Sequence, residues 1–214
     1  MSVFISFEGV DGSGKSTQIR LLLQYLDEQS VPYVFTREPG GTPIAEQIRR
    51  VLLDPANRGM SVITEALLFA AARAEHVSRT IRPALEEGKV VICDRFVDSS
   101  LVYQGVAGGL PVEFLTQINE MATGALRPHR TIVLDLAPEV ALARRTGEEA
   151  DRIERQSREY HQLVREGYLD LARAEPRRVK VVDASRSVEE VQKDIRRLVE
   201  EVLPRRFRGA GTRP

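Results

Sequence analysis

A glycine-rich stretch near the N-terminus restricts the possible folds of this chain more than any other feature. Residues 9–17 read Gly-Val-Asp-Gly-Ser-Gly-Lys-Ser-Thr, which matches GxxxxGK[ST], and they separate a short apolar run from a helical apolar stripe. In a strand–loop–helix unit, this pattern turns backbone N–H groups around phosphate oxygens and adds the positive potential of a helix N-terminus. The predicted nucleotide-binding loop consists of Gly9, Val10, Asp11, Gly12, Ser13, Gly14, Lys15, Ser16 and Thr17. Within it, we expect Lys15 to reach the β- and γ-phosphates and the Ser16 hydroxyl to ligate Mg²⁺.

Five short runs rich in β-branched residues recur along the chain, separated by stretches long enough for helices. They are Val3–Phe7, Tyr33–Thr36, Lys89–Cys93, Thr131–Asp135 and Val179–Val182. Residues 90–92 and 132–134 are continuously apolar, as strands of a parallel sheet covered on both faces require. This rhythm predicts an α/β fold in which a five-stranded parallel sheet carries helices on both faces.

Helical signals fill the intervals between these runs. Apolar residues at 19, 22, 23 and 26, and again at 188, 191, 195, 198 and 202, form one-sided stripes. Thr42 followed by Pro43 predicts an N-cap and a first turn, for a helix from Ile44 to about Leu53. The segment Thr64–Glu87 is a further helical candidate, closed by Gly88.

Length, composition and charge indicate one ordinary domain. The chain has 214 residues, of which 42% are hydrophobic, and this excludes the wholly disordered and fibrous classes. Its 31 basic residues balance 31 acidic ones, so no global field attracts nucleic acid or a membrane surface. No apolar stretch approaches the roughly 20 residues that span a bilayer. We expect a cytoplasmic protein with no membrane association and no stable nucleic acid partner.

The predicted domain covers residues 1–204. One segment within it and the tail that follows it differ in composition from the rest of the chain. Residues 143–158 alternate arginines with acids and contain almost no apolar residue, which predicts a mobile, exposed lid. Residues 205–214 hold four arginines and no acid, and we expect this basic tail to be frayed.

Two arginines stand next to turn signals at the ends of predicted strands. Arg37 follows the second run and Arg95 the third. Because the carboxyl ends of parallel strands form the ligand crevice, these side chains are placed to grip a second phosphate group. Asp94 is placed to hold Mg²⁺ beside Ser16. A phosphate-ester acceptor needs no general base, since its second pKa of about 6 leaves the attacking oxygen anionic at neutral pH.

The phosphate loop alone leaves several functional classes open. The chain lacks the NKxD sequence of signalling GTPases. A kinase of another nucleotide or of a nucleoside hydroxyl remains open, and a hydroxyl acceptor would require a carboxylate base such as Glu8 or Asp94. Outside the kinases, a P-loop ATPase or regulator would use nucleotide as a switch, and salt-sensitive DNA binding through the basic tail would identify it.

An ordered set of motifs resembles those of the thymidylate kinases, a family of P-loop nucleoside monophosphate kinases. The matching segments are 7–17, 37–42 (Arg-Glu-Pro-Gly-Gly-Thr), 68–73 (Leu-Phe-Ala-Ala-Ala-Arg), 94–96 (Asp-Arg-Phe) with 99–100 and 103–105, and 151–154 (Asp-Arg-Ile-Glu). The resemblance implies a P-loop nucleotide kinase fold and a homodimer. It also implies Mg²⁺-dependent transfer of the ATP γ-phosphoryl group to dTMP, giving dTDP and ADP for dTTP synthesis.

The resemblance also implies roles for individual residues around dTMP. Arg37 and Arg95 would bind its phosphate, and Phe69 would stack on the thymine, whose edge Arg73 and Gln104 would read. Ser100 would contribute near the base, Asp11 would meet the sugar 3′-hydroxyl, and Tyr103 would disfavour ribonucleotides. Glu38-Pro39 would carry the family's cis peptide bond, and the adenine site would lie near Asp183-Ala184-Ser185.

The catalytic arginine is expected in the lid. The variable loop positions at 10–13 carry no basic residue, which resembles those family members that place this arginine in the lid. Arg144, Arg145 and Arg152 are the candidates, and Arg152 matches the family motif best. Lys15 and Arg95 would complete the catalytic set.

Overall fold

One parallel sheet forms the centre of the molecule. The computed structural model describes residues 2–144, 151–204 and 207. Within them the strands are β1 (Val3–Glu8), β2 (Tyr33–Arg37), β3 (Val90–Asp94), β4 (Arg130–Asp135) and β5 (Val179–Asp183), in the order β2-β3-β1-β4-β5. All strand pairs are parallel. The predicted α/β class and all five predicted strands are confirmed, with each boundary shifted by at most one residue.

Helices occupy the connections between the strands. They are α1 (Lys15–Glu28), α2 (Pro43–Leu53), α3 (Val62–His76), α4 (Arg82–Glu86), α5 (Val97–Ser100), α6 (Val112–Thr123), α7 (Pro138–Ala143), α8 (Arg158–Ala174) and α9 (Val188–Glu200). Short π-helical segments, Val77–Ile81 and Leu101–Ala107, continue α3 into α4 and extend α5.

The helix signals in the sequence are confirmed with small shifts. The Thr42 hydroxyl accepts a hydrogen bond from the N–H of Ala45 at 3.1 Å, so Thr42 is the N-cap of α2 and Pro43 its first residue. The predicted helical segment 64–87 is helical from Val62 to Glu86, because Ser61 provides a cap earlier than expected. Gly88 follows with a φ of +78°, a conformation that favours glycine and closes the helix.

Residues of β1 alternate between two hydrophobic cores. Ile5 and Phe7 face the larger core, where Leu22 of α1 and Ile195 of α9 pack against them. Phe4 faces the smaller core with residues of the α3–α4 connection and β3. Burying each such side chain contributes about 1.5–3 kcal/mol, so helices are held against both faces of the central strands, while Phe35 of β2 and Val181 of β5 remain 45% and 42% exposed on the edge strands.

The two unusual segments are described only in part. Residues 145–150 and most of the tail lie outside the described residues, so the lid and the frayed tail stay predictions. Where the lid segment is described, residues 143–144 and 155–158 are exposed as expected. Arg152 and Ile153 depart from that expectation, since they are only 5% and 8% exposed. No helix among the described residues has both the length and the apolar character needed to cross a membrane.

Candidate active site

A cavity of about 620 Å³ opens at the carboxyl ends of the strands, where the sequence predicted a ligand crevice. Most of the predicted site residues line it: Asp11, Gly12, Ser13, Gly14, Lys15, Ser16, Thr17, Arg37, Phe69, Arg73, Asp94, Arg95, Ser100, Tyr103, Gln104 and Arg144. Gly9 and Val10 lie just behind this lining in the same loop. Arg152 is not part of the lining, and Arg145 lies outside the described residues.

The loop between β1 and α1 presents backbone to the cavity. Gly12 has a φ of +84°, and a Cβ there would lie 2.2 Å from the carbonyl oxygen of Ala141. Only glycine fits this position. Gly14 is the N-cap of α1 and offers no side-chain cap, which leaves the first N–H groups of the helix available to an anion.

The side chain of Lys15 is buried and donates hydrogen bonds to the backbone of this loop. Its Nζ donates to the carbonyl oxygens of Gly9 and Val10 at 3.0 and 3.2 Å, and it lies 3.7 Å from Asp11 Oδ1. Burial and the positive charge of Arg95 lower the pKa of Lys15. The two hydrogen bonds hold the ammonium group inside the curve of the phosphate loop.

Arg95 is fixed at the end of β3 in an unusual conformation. Its φ is +70°, and its Nη2 donates to Asp11 Oδ1 at 2.6 Å while the guanidinium stacks over the Tyr103 ring. Burial opposes ionisation of Asp11, but Arg95 and Lys15 outweigh it and hold the pKa of that carboxyl well below its usual range. Strained backbone of this kind concentrates at functional sites, where the surrounding structure maintains it.

A second group of arginines gathers at the loop after β2. Arg37 donates to the carbonyl oxygen of Pro39 at 2.9 Å and to Glu46 at 3.1 Å. The peptide bond between Glu38 and Pro39 is cis, as the resemblance implied. Arg49 of α2 donates to the same Pro39 oxygen at 2.9 Å and also lines the cavity. Arg49 is not among the predicted site residues, since no signal in the sequence separates it from its solvent-exposed neighbour Arg50.

Arg73 lies at the base of the cavity with nearly all its donors occupied. Its Nε donates to Glu38 at 2.7 Å, Nη1 donates to Ser100 at 2.9 Å and to Asn119, and Nη2 donates to the Phe96 carbonyl at 3.3 Å. Because a guanidinium carries five N–H groups, one Nη2 hydrogen is left for a ligand. Phe69, half-buried four residues earlier on α3, lines the same part of the cavity.

Glu65 joins two predicted site residues. Its Oε1 accepts from Nε2 of Gln104 at 2.7 Å, and its Oε2 accepts from Nη2 of Arg152 at 2.5 Å. The Nε of Arg152 also donates to the carbonyl oxygen of Leu52 at 2.7 Å. Arg152 is thus held beside Glu65, away from the cavity lining. Glu65 is not among the predicted site residues, because an acidic residue in the first turn of a helix is common in any protein.

Glu8 is enclosed beneath Arg95. One carboxylate oxygen accepts from the Phe96 N–H at 2.8 Å, and the other accepts from Ser99 at 2.5 Å and Tyr168 at 2.8 Å. Burial, with the nearby charge of Asp98, raises the pKa of Glu8 to about 7. Its hydrogen bonds organise the end of β3, and it does not line the cavity.

The residues predicted for Mg²⁺ suit that ion. Ser16 is exposed to the cavity, and Asp94 Oδ1 is buried with no hydrogen-bond partner within the described residues. No cluster of three or more acidic, histidine or cysteine side chains suitable for a metal occurs in that part of the chain. Mg²⁺ does not require one, since it commonly binds through one or two protein oxygens together with water and substrate phosphates.

Residues that follow β5 also line the cavity, next to α1. Arg144 donates from Nη1 to the carbonyl oxygen of Ala184 at 3.1 Å. Ala184, Arg186, Val188 and Val191 all line this part. The predicted adenine loop therefore borders the cavity.

Comparison with known proteins agrees with this architecture. The family model described as Thymidylate kinase matches residues 7–195. A thymidylate kinase of Pelotomaculum thermopropionicum is 51% identical over 208 residues, which cover 96% of each chain. One from Syntrophotalea carbinolica is 50% identical, covering 89% of this chain and 92% of that protein.

The chain belongs to the thymidylate kinase family. A crystal structure of thymidylate kinase from Ehrlichia chaffeensis superposes with a TM-score of 0.75 at 34% identity, covering 92% of this chain and 98% of that one. The family, the P-loop nucleotide kinase fold and the enzyme class expected from the sequence are confirmed.

Proposed function

We propose that the cavity is the active site in which ATP phosphorylates dTMP. ATP-dependent conversion of dTMP to dTDP is the activity of this chain's family, and the chain is a dTMP kinase, a phosphotransferase with a phosphate acceptor. One observation carries the placement of the reaction. The phosphate loop and two further arginines, Arg37 and Arg95, line the same cavity, which supports a second phosphate site next to the first.

The phosphate loop binds ATP. The N–H groups of the loop and of the first turn of α1 surround the β-phosphate. Lys15 exchanges its present acceptors, the carbonyl oxygens of Gly9 and Val10, for phosphate oxygens and neutralises charge on the transferring group. The loop with Ala184, which also lines the cavity, accommodates the adenine.

The acceptor half binds dTMP. Arg37 and Arg95 hold its phosphate, Phe69 stacks on the thymine, and the free Nη2 hydrogen of Arg73 meets a carbonyl oxygen of the base. Ser100 keeps Arg73 in place, as their hydrogen bond supports. Tyr103, stacked against Arg95, lies beside the sugar. Asp11 is the remaining contact, to the 3′-hydroxyl.

No general base takes part in this scheme. The dTMP phosphate is already anionic at neutral pH, so positioning and charge neutralisation suffice. Asp94, one of the two carboxylates that could serve as a base toward a nucleoside hydroxyl, lines the cavity and is assigned to Mg²⁺ in this scheme. The other candidate, Glu8, is enclosed. Both of its oxygens already accept hydrogen bonds, and it does not reach the cavity.

Ser16 and Asp94 are the residues that would hold Mg²⁺. The bound ion would neutralise charge on the β- and γ-phosphates. The unpartnered Oδ1 of Asp94 supports this assignment, because a buried carboxylate oxygen without a donor is costly unless a ligand compensates it.

The lid contributes the last arginines. Arg144 already lines the cavity beside Ala184, which supports a role in neutralising the transferring phosphoryl group. Arg152 would have to leave Glu65 to do the same, and Arg145 is a candidate on its sequence position alone.

We also propose a cytoplasmic homodimer without a stable nucleic acid partner. The packed helices α2 and α3 both leave large apolar side chains exposed, among them Ile44 at 53%, Ile63 at 53% and Leu67 at 49%. A self-associating face would cover them. Sedimentation as a monomer at micromolar concentration would exclude this proposal.

The reaction is tested by ADP release with MgATP and a panel of dTMP, dUMP, UMP, dCMP, dGMP, AMP and thymidine. We expect dTMP to dominate the rates, and Arg95→Ala to weaken dTMP use without changing ATP use. Turnover with thymidine but not dTMP would move the phosphate-acceptor role away from Arg37 and Arg95. No turnover with any acceptor, together with DNA binding that requires residues 205–214, would favour the regulator.

A further inference from the structure

The buried carboxylate of Glu65 has no direct access to the cavity, yet it contacts a residue that has. Its side chain is only 10% exposed and both of its oxygens are engaged. The Arg152 guanidinium is anchored at the same time to the carbonyl oxygen of Leu52, so the carboxylate is fixed in orientation. Gln104 is itself 2% exposed and lines the cavity.

The contact with Glu65 decides which face of the Gln104 amide meets a ligand. A carboxylate oxygen accepts hydrogen bonds only, so the amide must turn its NH₂ group toward Glu65, as the distance of 2.7 Å from Nε2 to Oε1 shows. In the part of the chain that the structure describes, no donor reaches Oε1 of Gln104. The polar group that Gln104 offers to the cavity is therefore a hydrogen-bond acceptor.

We propose that Glu65 is a specificity-determining positioning residue that selects, through Gln104, a pyrimidine whose N3 carries a proton. The inference rests on the proposed placement of the base beside Phe69 and Gln104. An imide such as thymine donates from N3 to the Gln104 carbonyl. Cytosine has a lone pair at N3 and would face that carbonyl acceptor to acceptor, which leaves both groups unpaired in a buried site.

Arg73 reinforces the same choice. Its remaining Nη2 hydrogen requires an acceptor, which the carbonyl groups of an imide provide and the amino group of cytosine does not. Arg73 keeps its donors whatever its surroundings, since a guanidinium has no acceptor. The amide of Gln104 can present either face, so it needs a residue such as Glu65 to fix it.

Glu65→Gln reverses the pattern of hydrogen-bonding groups with little change of shape. The single carbonyl oxygen of the new amide turns to Arg152, because a hydrogen bond from a charged donor is stronger. Its NH₂ group then faces Gln104, whose amide must invert and present NH₂ to the base. We expect kcat/KM for dTMP to fall about tenfold or more, and the ratio of dTMP to dCMP efficiencies to fall by at least as much. The KM for ATP should stay unchanged.

A double-mutant cycle separates positioning from stability. In a Gln104→Leu background, adding Glu65→Gln should leave the dTMP to dCMP ratio unchanged, because the amide through which Glu65 acts is gone. Arg152→Lys is the matched control, because it keeps a positive charge beside Glu65 but loses the guanidinium fork. It should lower kcat or stability without altering the ratio, since Glu65 stays a carboxylate that can only accept from Gln104.

The outcomes distinguish this inference from the proposed function. If Gln104→Leu leaves the ratio unchanged, the base does not lie beside Gln104 and the placement of dTMP is wrong. If Gln104→Leu lowers the ratio but Glu65→Gln lowers both efficiencies equally, Glu65 is only structural. Should Glu65→Gln not fold, Glu65→Leu combined with Arg152→Leu replaces the buried pair by apolar groups. The ratio of dTMP to dCMP efficiencies in this double variant, compared with that of the wild type, then separates positioning from a structural role, because Gln104 has lost its carboxylate partner.

Discussion

The two halves of the cavity that we propose for the phosphoryl donor and the acceptor are built by different means. The donor half is backbone: consecutive residues of the phosphate loop present N–H groups, and glycines at 9, 12 and 14 adopt positive φ. The acceptor half is made of side chains from the ends of β2 and β3, from α2 and α3, and from the segment after α5. Buried hydrogen bonds between distant residues hold several of these side chains. A contiguous backbone site depends on local conformation, whereas a dispersed side-chain site depends on the whole fold.

Removing Lys15 should have the largest effect, because it is the main side-chain contribution to the donor half. We expect Lys15→Ala to lower kcat by about 10²–10³-fold, since a positioned charge opposite the developing charge is lost. Steady-state ADP release measures this. Lys193→Ala, on the exposed side of α9, is the matched control and should retain full activity. A similar loss in both variants would contradict the role of Lys15.

Arg95→Ala tests whether the two halves are separable. We expect the KM for dTMP to rise about 10²-fold, because a bidentate, partly buried phosphate contact disappears. The KM for ATP should change little. Arg95→Lys should recover only part of the loss, since an ammonium cannot reproduce the planar fork. An equal rise of both KM values would show that the Asp11–Arg95 ion pair serves the phosphate loop instead.

The strands and the donor half could be predicted from sequence because their signals are local. Arg37 and Arg95 were also found from local order, each following a strand. Glu65 could not be found in this way, since its partner Arg152 lies 87 residues further along the chain. That pairing also explains the burial of Arg152 in a segment with few apolar residues, because a guanidinium with compensating partners can be buried at acceptable cost. Phe69, Arg73 and Gln104 were identified only through the family resemblance.

The buried carboxyl of Glu8, with its hydrogen-bond partners Phe96, Ser99 and Tyr168, should make the stability of the protein depend on pH. The pKa of Glu8 is about 7 in the folded protein, above its unfolded value of 4.5. The folded protein therefore binds the Glu8 proton more tightly than the unfolded chain does. The stabilisation that results is complete below pH 4.5 and is lost as the pH rises through 7. The effect is on the order of 3 kcal/mol.

Thermal denaturation of wild type and Glu8→Gln between pH 4.5 and 8 measures this contribution. The wild type should lose stability relative to the variant as pH rises, whatever the variant's stability at a single pH. Parallel curves for the two proteins would mean that Glu8 is ionised throughout, with Ser99, Tyr168 and Phe96 supplying enough hydrogen bonds to offset its burial.

Arg49→Ala should give the smallest of these effects, and it tests how far the acceptor half extends along α2. Arg49 and Arg50 are adjacent on α2, but only Arg49 lines the cavity and donates to the Pro39 carbonyl oxygen beside Arg37. We expect Arg49→Ala to raise the KM for dTMP about tenfold by removing one cation near its phosphate, and Arg50→Ala to leave it unchanged. Initial rates at varied dTMP and saturating ATP provide the comparison. Equal effects of the two substitutions would mean that α2 contributes only its general charge, whereas the expected difference would show that a single helical position extends the acceptor site beyond the strand ends.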